Sequence, residues 1–499
     1  MENLMYKSTR GSKNYLTSAE AIKRGLAEDG GLYMPTSIPK IDLDFISGMV
    51  EDTYSARAFK VLSLYLTDYD SETLRKICEK AYSAERFVGG AAPIYSLNDK
   101  IDVLELWHGP TCAFKDMALQ IMPMLLSEAL KMTGEKNDAL ILVATSGDTG
   151  KAALEGYRDV DKIRIMVYYP ENGVSAMQKL QMTTQQGENV GVCAIKGNFD
   201  DAQTGVKTIF TDPAVKEALE KNNMAFSSAN SINWGRLVPQ IVYYFSAYAD
   251  MIASGQIKNG EKINFTVPTG NFGNILAAYY AKEMGLPVNK LICASNANNV
   301  LTEFINTGRY NRVRKFHQTV SPSMEILVSS NLERLLFHLS GDNSDEIRTL
   351  FSALSSDGEY TVNNDILAKI QDVFAAGCCD DTDTKKTIGE TFRDYDYLSD
   401  PHTGVAVNVY NEYRRTSGDT TPTVIVSTAS PYKFSPAVLE GLGESAASED
   451  EFDMIAAVDR ISGVTPPVKL TELRGASPRF TDICEKEEMQ NVVFAMLGI

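Results

Sequence analysis

Lys115 lies in the run His108-Gly109-Pro110-Thr111-Cys112-Ala113-Phe114-Lys115-Asp116, directly after an apolar, strand-like stretch from Ile101 to Trp107. A lysine at a strand-to-helix corner is open to desolvation, and burial disfavours the ammonium, so its pKa falls toward neutrality. A neutral amine condenses with a carbonyl. One lysine says little, since most are solvated surface charges. Two further stretches share its setting. Ala144-Thr145-Ser146-Gly147-Asp148-Thr149-Gly150 follows the strand-like Ala139 to Val143 and opens a helical pattern at Lys151 to Leu154. Thr269-Gly270-Asn271-Phe272-Gly273-Asn274 follows Ile263 to Val267 and opens a helix from Ile275 to Met284. In each, glycines let backbone N–H groups approach an anion at a helix N-terminus whose dipole favours negative charge. Either loop alone reads as a capped strand-to-helix turn. Neither matches the common nucleotide patterns: Ala152 follows Gly150-Lys151 where a P-loop needs Ser or Thr, and no strand leads into a GxGxxG run with dinucleotide spacing. A desolvated lysine with two anion nests suits a phosphorylated aldehyde cofactor, pyridoxal phosphate.

All these loops fall where an apolar strand hands over to a helix. From Ile101 onward, strand-like stretches alternate with helical ones: Leu140 to Ala144, Ile163 to Tyr169, Val190 to Ile195, Ile263 to Val267, Leu291 to Ala294 and Val424 to Ser427. The alternation predicts parallel sheets with helices on both faces and ligands at the carboxyl ends of the strands. Residues 1 to about 95 read as mostly helical, with an apolar face at helical spacing from Tyr54 to Leu66. The stretch from about 320 to 395 reads as helical and polar, broken at Gly341-Asp342-Asn343-Ser344.

Composition sets limits. A chain of 499 residues has room for roughly two to four domains and ample core. A net charge of −17 without a Lys/Arg-rich block argues against nucleic acid and anionic membranes, so a phosphorylated substrate must be drawn by a local cationic pocket. No stretch has spanning length and no charged-then-apolar leader opens the chain, which points to a cytoplasmic protein. The 7 cysteines include no CxxC, and the 4 histidines (His108, His317, His338, His402) lack metal-ligand spacing, so neither a disulfide framework nor a metal is expected. A structural hydrogen-bonding role is expected for each histidine.

The chain resembles the threonine synthases of the longer bacterial and fungal branch, within the fold type II pyridoxal-phosphate enzymes. The resemblance rests on Tyr6 to Gly11, Gly30 to Pro35, His108 to Asp116, Thr145 to Gly150, Asn230 to Arg236, Val267 to Asn274, Ser321 to Leu336, Asp400 to Ala406 and Ser427 to Phe434, in order over most of the chain. Where the family often has His after Thr-Ala, this chain has Ser430, to which no role is assigned. The resemblance implies a tryptophan synthase β-like α/β fold: two doubly wound domains plus an N-terminal mostly helical domain. The implied division is 1–95 for the N-terminal domain and 135–261 for the small domain. The large domain takes 96–134 and 262–499, with a helical insertion at about 320–395.

The resemblance also implies a site. Lys115 would hold the aldehyde of pyridoxal 5'-phosphate and then shuttle protons. Gly270, Asn271, Phe272, Gly273 and Asn274 would bind the cofactor phosphate through main-chain N–H groups. Thr428 would hydrogen-bond the pyridine nitrogen, and Asp148 matches a position where shorter relatives carry an Asn facing the ring hydroxyl. Thr145, Ser146 and Thr149 would bind the substrate carboxylate, while Asn230, Ser231 and Arg236 would hold the substrate phosphate. Without the motif, Arg236 would read as a surface ion pair; Asp116 reads as a helix first-turn acid. The implied reaction converts O-phospho-L-homoserine and water to L-threonine and phosphate, by a monomer or homodimer. Two rivals are another fold type II lyase, such as a serine or threonine dehydratase, and a catalytically silent cofactor-binding homologue. Arg236 with Asn230-Ser231 counts against the first, since an unphosphorylated substrate needs no distal anion site. Intact Lys115, Thr428 and both nests count against the second.

Overall fold

The computed structural model describes residues 3–499 apart from 146, 447 and 449. Near the N-terminus, β1 (Tyr6–Ser8) and β2 (Tyr33–Pro35) form a small antiparallel ladder, followed by amphipathic helices that include Tyr54–Ser63 and Ser71–Ala81. The remaining strands are, in chain order, β3 (Ile94–Asn98), β4 (Ile101–Glu105), β5 (Asp138–Ala144), β6 (Ile163–Pro170), β7 (Val190–Ile195), β8 (Met224–Ser227), β9 (Ile263–Pro268), β10 (Val288–Ser295), β11 (Arg309–Asn311), β12 (Glu359–Thr361), β13 (Phe374–Cys378), β14 (Thr423–Ser427) and β15 (Ile483–Cys484). They build two principal sheets, ordered β13-β10-β9-β14-β4-β3 and β15-β7-β6-β5-β8, with β11 and β12 as a separate antiparallel pair. Helices cover the faces, as the alternation of strand and helix predicts.

Four elements depart from the sequence reading. β3 joins the large sheet antiparallel to β4, so that sheet is mixed. None of its residues is fully buried, and Tyr95, Ser96 and Asn98 are exposed, as suits an edge strand. β8, missing from the strand assignment above, pairs parallel with β5 at the edge of the small sheet. β13, inside the stretch read as helical, pairs parallel with β10 at the other edge of the large sheet. Its sequence, Phe374-Ala-Ala-Gly-Cys378, has little β preference of its own. Gly377 is there because a Cβ would come within 2.9 Å of Val409 Cγ1 on the helix packed above. β15 belongs to the small sheet, paired with β7, so the C-terminal segment does not stay with the large sheet as the division at 262–499 expects.

The helix Trp234–Ala253 is buried around almost its whole circumference, including Trp234, Leu237, Val238, Ile241, Val242 and Phe245. A helix apolar on all sides belongs inside a core. Tyr6 and Tyr65 pack on Trp234 with ring centroids 5.4 and 5.5 Å away. Full burial of such side chains stabilises by roughly 1.5–3 kcal/mol each. The N-terminal segment is pinned at its other end by Glu333. Arg10 reaches that carboxylate with Nε at 3.1 Å and Nη2 at 2.9 Å, and Thr9 donates its hydroxyl at 2.5 Å. Among the described residues no helix is long and apolar enough to cross a membrane.

Candidate active site

Three neighbouring parallel strands, β9, β14 and β4, end side by side. The loop after β9 is Thr269 to Asn274, the loop after β14 begins at Thr428, and the loop after β4 leads to Lys115. Sheet order therefore brings together groups more than 300 residues apart in the chain. The β4 and β14 loops are also tied by backbone: Phe114 N–H donates to Thr428 O at 2.8 Å, and Ser430 N–H donates to Cys112 O at 3.1 Å. Cys112, with φ 57°, holds a left-handed conformation that an L side chain adopts only under constraint.

Lys115 is half-buried, immediately before the helix Asp116–Leu119. Part of its surface opens to the cleft, and the protein around the stem still strips water from the amine. Desolvation pulls it down to about 8; Asp148 and Asp116 oppose the shift, while Lys433 and Arg236 add to it. The desolvated lysine expected from the sequence is present. Asp116 is more than a first-turn acid. Its buried carboxylate accepts the Thr111 N–H and hydroxyl, both at 2.8 Å, which folds the Gly109–Thr111 turn back onto the helix. Burial raises Asp116 to about 6 in spite of those bonds.

The nest after β9 has a clear construction. Ser329 Oγ donates to Gly270 O at 2.8 Å, and Asn331 donates to Asn271 O through N–H at 3.2 Å and Nδ2 at 3.1 Å. In a trans peptide the carbonyl and the following N–H point opposite ways, so the Asn271 and Phe272 N–H groups point away from these anchors. Phe272 sits in the left-handed region at φ 63°, the alternation that turns successive N–H groups toward one point. None of the N–H groups of Gly270 to Asn274 has a protein acceptor among the described residues. Free N–H groups gathered on one side of a loop at a helix N-terminus form an anion site, so a phosphate fits here. Gly270 admits no side chain, because a Cβ would lie 2.5 Å from Ser323 O.

The loop after β5 behaves differently. Thr145 is buried, and its hydroxyl bonds Gly147 O at 3.0 Å, Gly147 N–H at 3.1 Å and Gly150 N–H at 3.0 Å. That hydroxyl is spent on shaping the turn, which corrects its expected role as a carboxylate ligand. Ser146 lies outside the described residues. Thr149, at the start of the helix Asp148–Tyr157, is half-buried with no side-chain partner among the described residues.

Asp148 does not stand alone. Its Oδ1 lies 2.6 Å from Lys433 Nζ, with both side chains buried, and accepts Gln178 Nε2 at 3.1 Å. Burial by itself would raise this carboxyl; Lys433, then Lys115, overcome it and hold it at about 2. Lys433 also donates to Thr111 O at 2.9 Å. The sequence reading assigned Lys433 nothing, although a lysine six residues past a buried strand was a usable signal.

Arg236 lies in the first turn of Trp234–Ala253 and is 7% exposed. Nη1 donates to Ala229 O at 3.0 Å, Nε is buried without a partner, and among the described residues no carboxylate pairs with it. The surface ion pair considered above is therefore wrong for Arg236. Desolvation lowers its guanidinium to about 10, partly offset by Tyr157. Asn230 and Ser231 sit on the same loop, exposed and half-buried, with Ser231 Oγ donating to Asn230 Oδ1 at 3.2 Å. Arg334, fully buried, joins the loops: it bonds Tyr33 O, Ile232 O at 2.6 Å and Asn331 Oδ1 at 2.5 Å. Thr428 is buried, and its hydroxyl has no partner among the described residues. His108, His338 and His402 are hydrogen-bonded, to Glu105, Tyr279 and Asp400, as expected.

This arrangement has relatives. The family model described as threonine synthase N terminus matches residues 5–82, and that described as threonine synthase, C-terminal, matches 403–493. The threonine synthase of Pseudomonas aeruginosa is 40% identical over 447 residues, which cover 89% of this chain and 92% of that protein. Human threonine synthase-like 1 is 42% identical over 435 residues, 85% of this chain; the chain spans only 58% of that relative's length. The crystal structure of PLP-bound threonine synthase from Brucella melitensis superposes with a TM-score of 0.88 at 35% identity, covering 99% of both chains. With such identity along nearly the whole length of a threonine synthase, and the same fold throughout, the chain belongs to the threonine synthase family.

Proposed function

We propose that this protein converts O-phospho-L-homoserine and water to L-threonine and phosphate, with pyridoxal 5'-phosphate as its cofactor. The residues present fit that cofactor: an amine lowered to about 8, a nest of unpartnered N–H groups, and a free buried hydroxyl at Thr428. When bound, the cofactor supplies an electron sink that acidifies substrate Cα and then Cβ, so that the γ-phosphate can leave.

Lys115 holds the cofactor aldehyde and, once free, removes the Cα proton and later returns protons to carbon; an amine poised near 8 is charged or neutral by turns. Gly270 to Asn274 bind the cofactor phosphate through main-chain N–H groups. Thr428 hydrogen-bonds the pyridine nitrogen, and a hydroxyl there tempers the sink where a carboxylate would strengthen it. Asp148, held ionised by Lys433, faces the ring hydroxyl. The N-terminus of Asp148–Tyr157, with Ser146 and Thr149, receives the substrate carboxylate, while Thr145 keeps that turn in shape. Arg236, Asn230 and Ser231 receive the substrate phosphate.

One observation carries the choice of substrate: Arg236 is a buried guanidinium with no carboxylate among the described residues to neutralise it. Buried charges are ordinarily paired, so an anion belongs there, and serine or threonine, whose one carboxylate goes to the turn after β5, brings no second, distal anion to a dehydratase. We further assign residues 1–95, 135–261, and 96–134 with 262–499 as three structural units, the last lending β15 to the small sheet. The setting is cytoplasmic, and the protein works as a monomer or homodimer without nucleic acid or membrane. Purified protein loaded with cofactor should release threonine and phosphate in equal amounts from O-phospho-L-homoserine and nothing from serine. Keto-acid formation from serine or threonine would favour the dehydratase reading.

A further inference from the structure

The stretches Ser321 to Leu336 and Asp400 to Ala406 carry the family resemblance, yet Ser323 and the Asp400–His402 pair have no part in the reaction above. The structure joins them at Lys115. Ser323 is the middle residue of a short 3-10 turn, Pro322–Met324, and its exposed Oγ lies 3.3 Å from Lys115 Nζ. Its carbonyl presses against Gly270, so the turn is wedged between the lysine and the nest. Its backbone N–H donates to His402 Nε2 at 3.1 Å, and His402 Nδ1 is 2.6 Å from Asp400 Oδ2.

An amide N–H can only donate, so Nε2 is the accepting nitrogen and Nδ1 carries the proton bonded to Asp400. Asp400 is fixed in turn as the N-cap of the helix Pro401–Ser417, accepting the N–H groups of His402 at 2.9 Å and Thr403 at 3.1 Å. Asp400 is 0% and His402 1% exposed. The imidazole also meets the Phe434 ring edge-on at 4.9 Å. Such a buried, fully bonded dyad can position the turn but cannot reach a substrate. Asp148, Lys433, Arg236 and Asp116 act on the Lys115 amine from the other elements, yet among the described residues only Ser323 hydrogen-bonds it.

We propose that Ser323 holds the free Lys115 amine, accepting one N–H so that the lone pair stays aimed into the cleft, and that Asp400 and His402 are the positioning residues that keep Ser323 in place. This rests on the reading of Lys115 as the cofactor-bearing base. A lysine amine ends a flexible four-carbon stem, and proton transfer demands a fixed direction.

The test uses cofactor-loaded wild type, Ser323→Ala, Ser323→Thr, His402→Leu, His402→Gln and the Ser323→Ala/His402→Leu double variant. Ser323 is exposed to the cleft, so its loss leaves the fold intact. Ser323→Ala should load cofactor fully and keep KM, while kcat falls about tenfold. The pH midpoint of the cofactor absorbance should move, and cofactor-stripped protein should capture pyridoxal phosphate more slowly. Ser323→Thr should recover all three. His402→Leu should match Ser323→Ala, the double variant should be no worse, and His402→Gln, which keeps an acceptor, should recover. Wild-type kcat and an unmoved midpoint in Ser323→Ala would overturn the inference, as would a His402→Leu defect that persists undiminished in the Ser323→Ala background. Failure of the underlying reading looks different: borohydride would then leave the wild-type Lys115 peptide unlabelled.

Discussion

Replacing Arg236 with methionine should make the substrate-free protein more stable and the enzyme far worse. The guanidinium is 7% exposed and drops from 12.5 to about 10, chiefly through desolvation. At roughly 1.36 kcal/mol per pKa unit, folding carries about 3 kcal/mol against the charged form. The sign follows from the direction: a base with a depressed folded pKa bears its full penalty at any pH below both values, which includes neutrality. Methionine fills a similar volume and removes the charge, at the expense of the bond to Ala229 O, about 1 kcal/mol. The net expectation is roughly 2 kcal/mol of added stability, read as a higher urea midpoint. Function moves the opposite way. Removing one partner of a buried charge pair costs about 2–5 kcal/mol, so kcat/KM for O-phospho-L-homoserine should fall roughly 30-fold to several thousandfold. Because the phosphate is also the leaving group, kcat should fall and not KM alone. Inorganic phosphate should raise the midpoint of wild type and leave that of Arg236→Met unchanged, while cofactor absorbance stays normal in both. A variant that is less stable and retains its efficiency would refute the reasoning; loss of cofactor with activity would move Arg236 to the cofactor's own site.

Further outcomes follow from the same geometry. Lys433→Met leaves Asp148 buried without its partner, so stability should drop by about 3–5 kcal/mol, measurable by denaturant titration. Asp148 is depressed from 3.8 to about 2, so its contribution is present above pH 4 and is lost as pH falls from about 4 to 2; the variant should lose that acid limb. Capture of pyridoxal phosphate by cofactor-stripped protein needs the neutral Lys115 amine, so its rate should rise with pH to a half-maximum near 8. Only about 1% of the amine is neutral at pH 6, and a flat rate from pH 6 to 9 would contradict the assignment. Thr428→Val keeps shape but removes the hydroxyl, which should alter the cofactor spectrum and cost roughly 1–3 kcal/mol in cofactor binding.

Much of the site was legible because its chemistry is local in the chain. Lys115 and the 269–274 turn each declare themselves through glycine, amide and strand-end context, and sheet order then only has to set them side by side. Tertiary pairings were not legible. Lys433 meets Asp148 across 285 positions of sequence, and Ser329, Asn331 and Arg334 act by holding carbonyls of distant loops, contacts that no local spacing encodes. Thr145 was misjudged because a hydroxyl in a glycine-rich loop serves a ligand or its own turn equally well. Among the strands, β14 is marked by the apolar run Val424 to Val426 and β9 by the alternation of Ile263, Phe265 and Val267, so both are legible. β13 takes its conformation from β10 and from the helix above Gly377, so its own residues hardly mark it.

The most direct measurement is the fate of solvent oxygen. Turnover of O-phospho-L-homoserine in ¹⁸O-water by the cofactor-loaded protein should place the label in the β-hydroxyl of L-threonine and none in the released phosphate, because the C–O bond breaks and water adds at Cβ. Label in the phosphate with homoserine as co-product would mean P–O hydrolysis. Label in 2-oxobutyrate without threonine would mean elimination without readdition at Cβ. Either result would contradict the account.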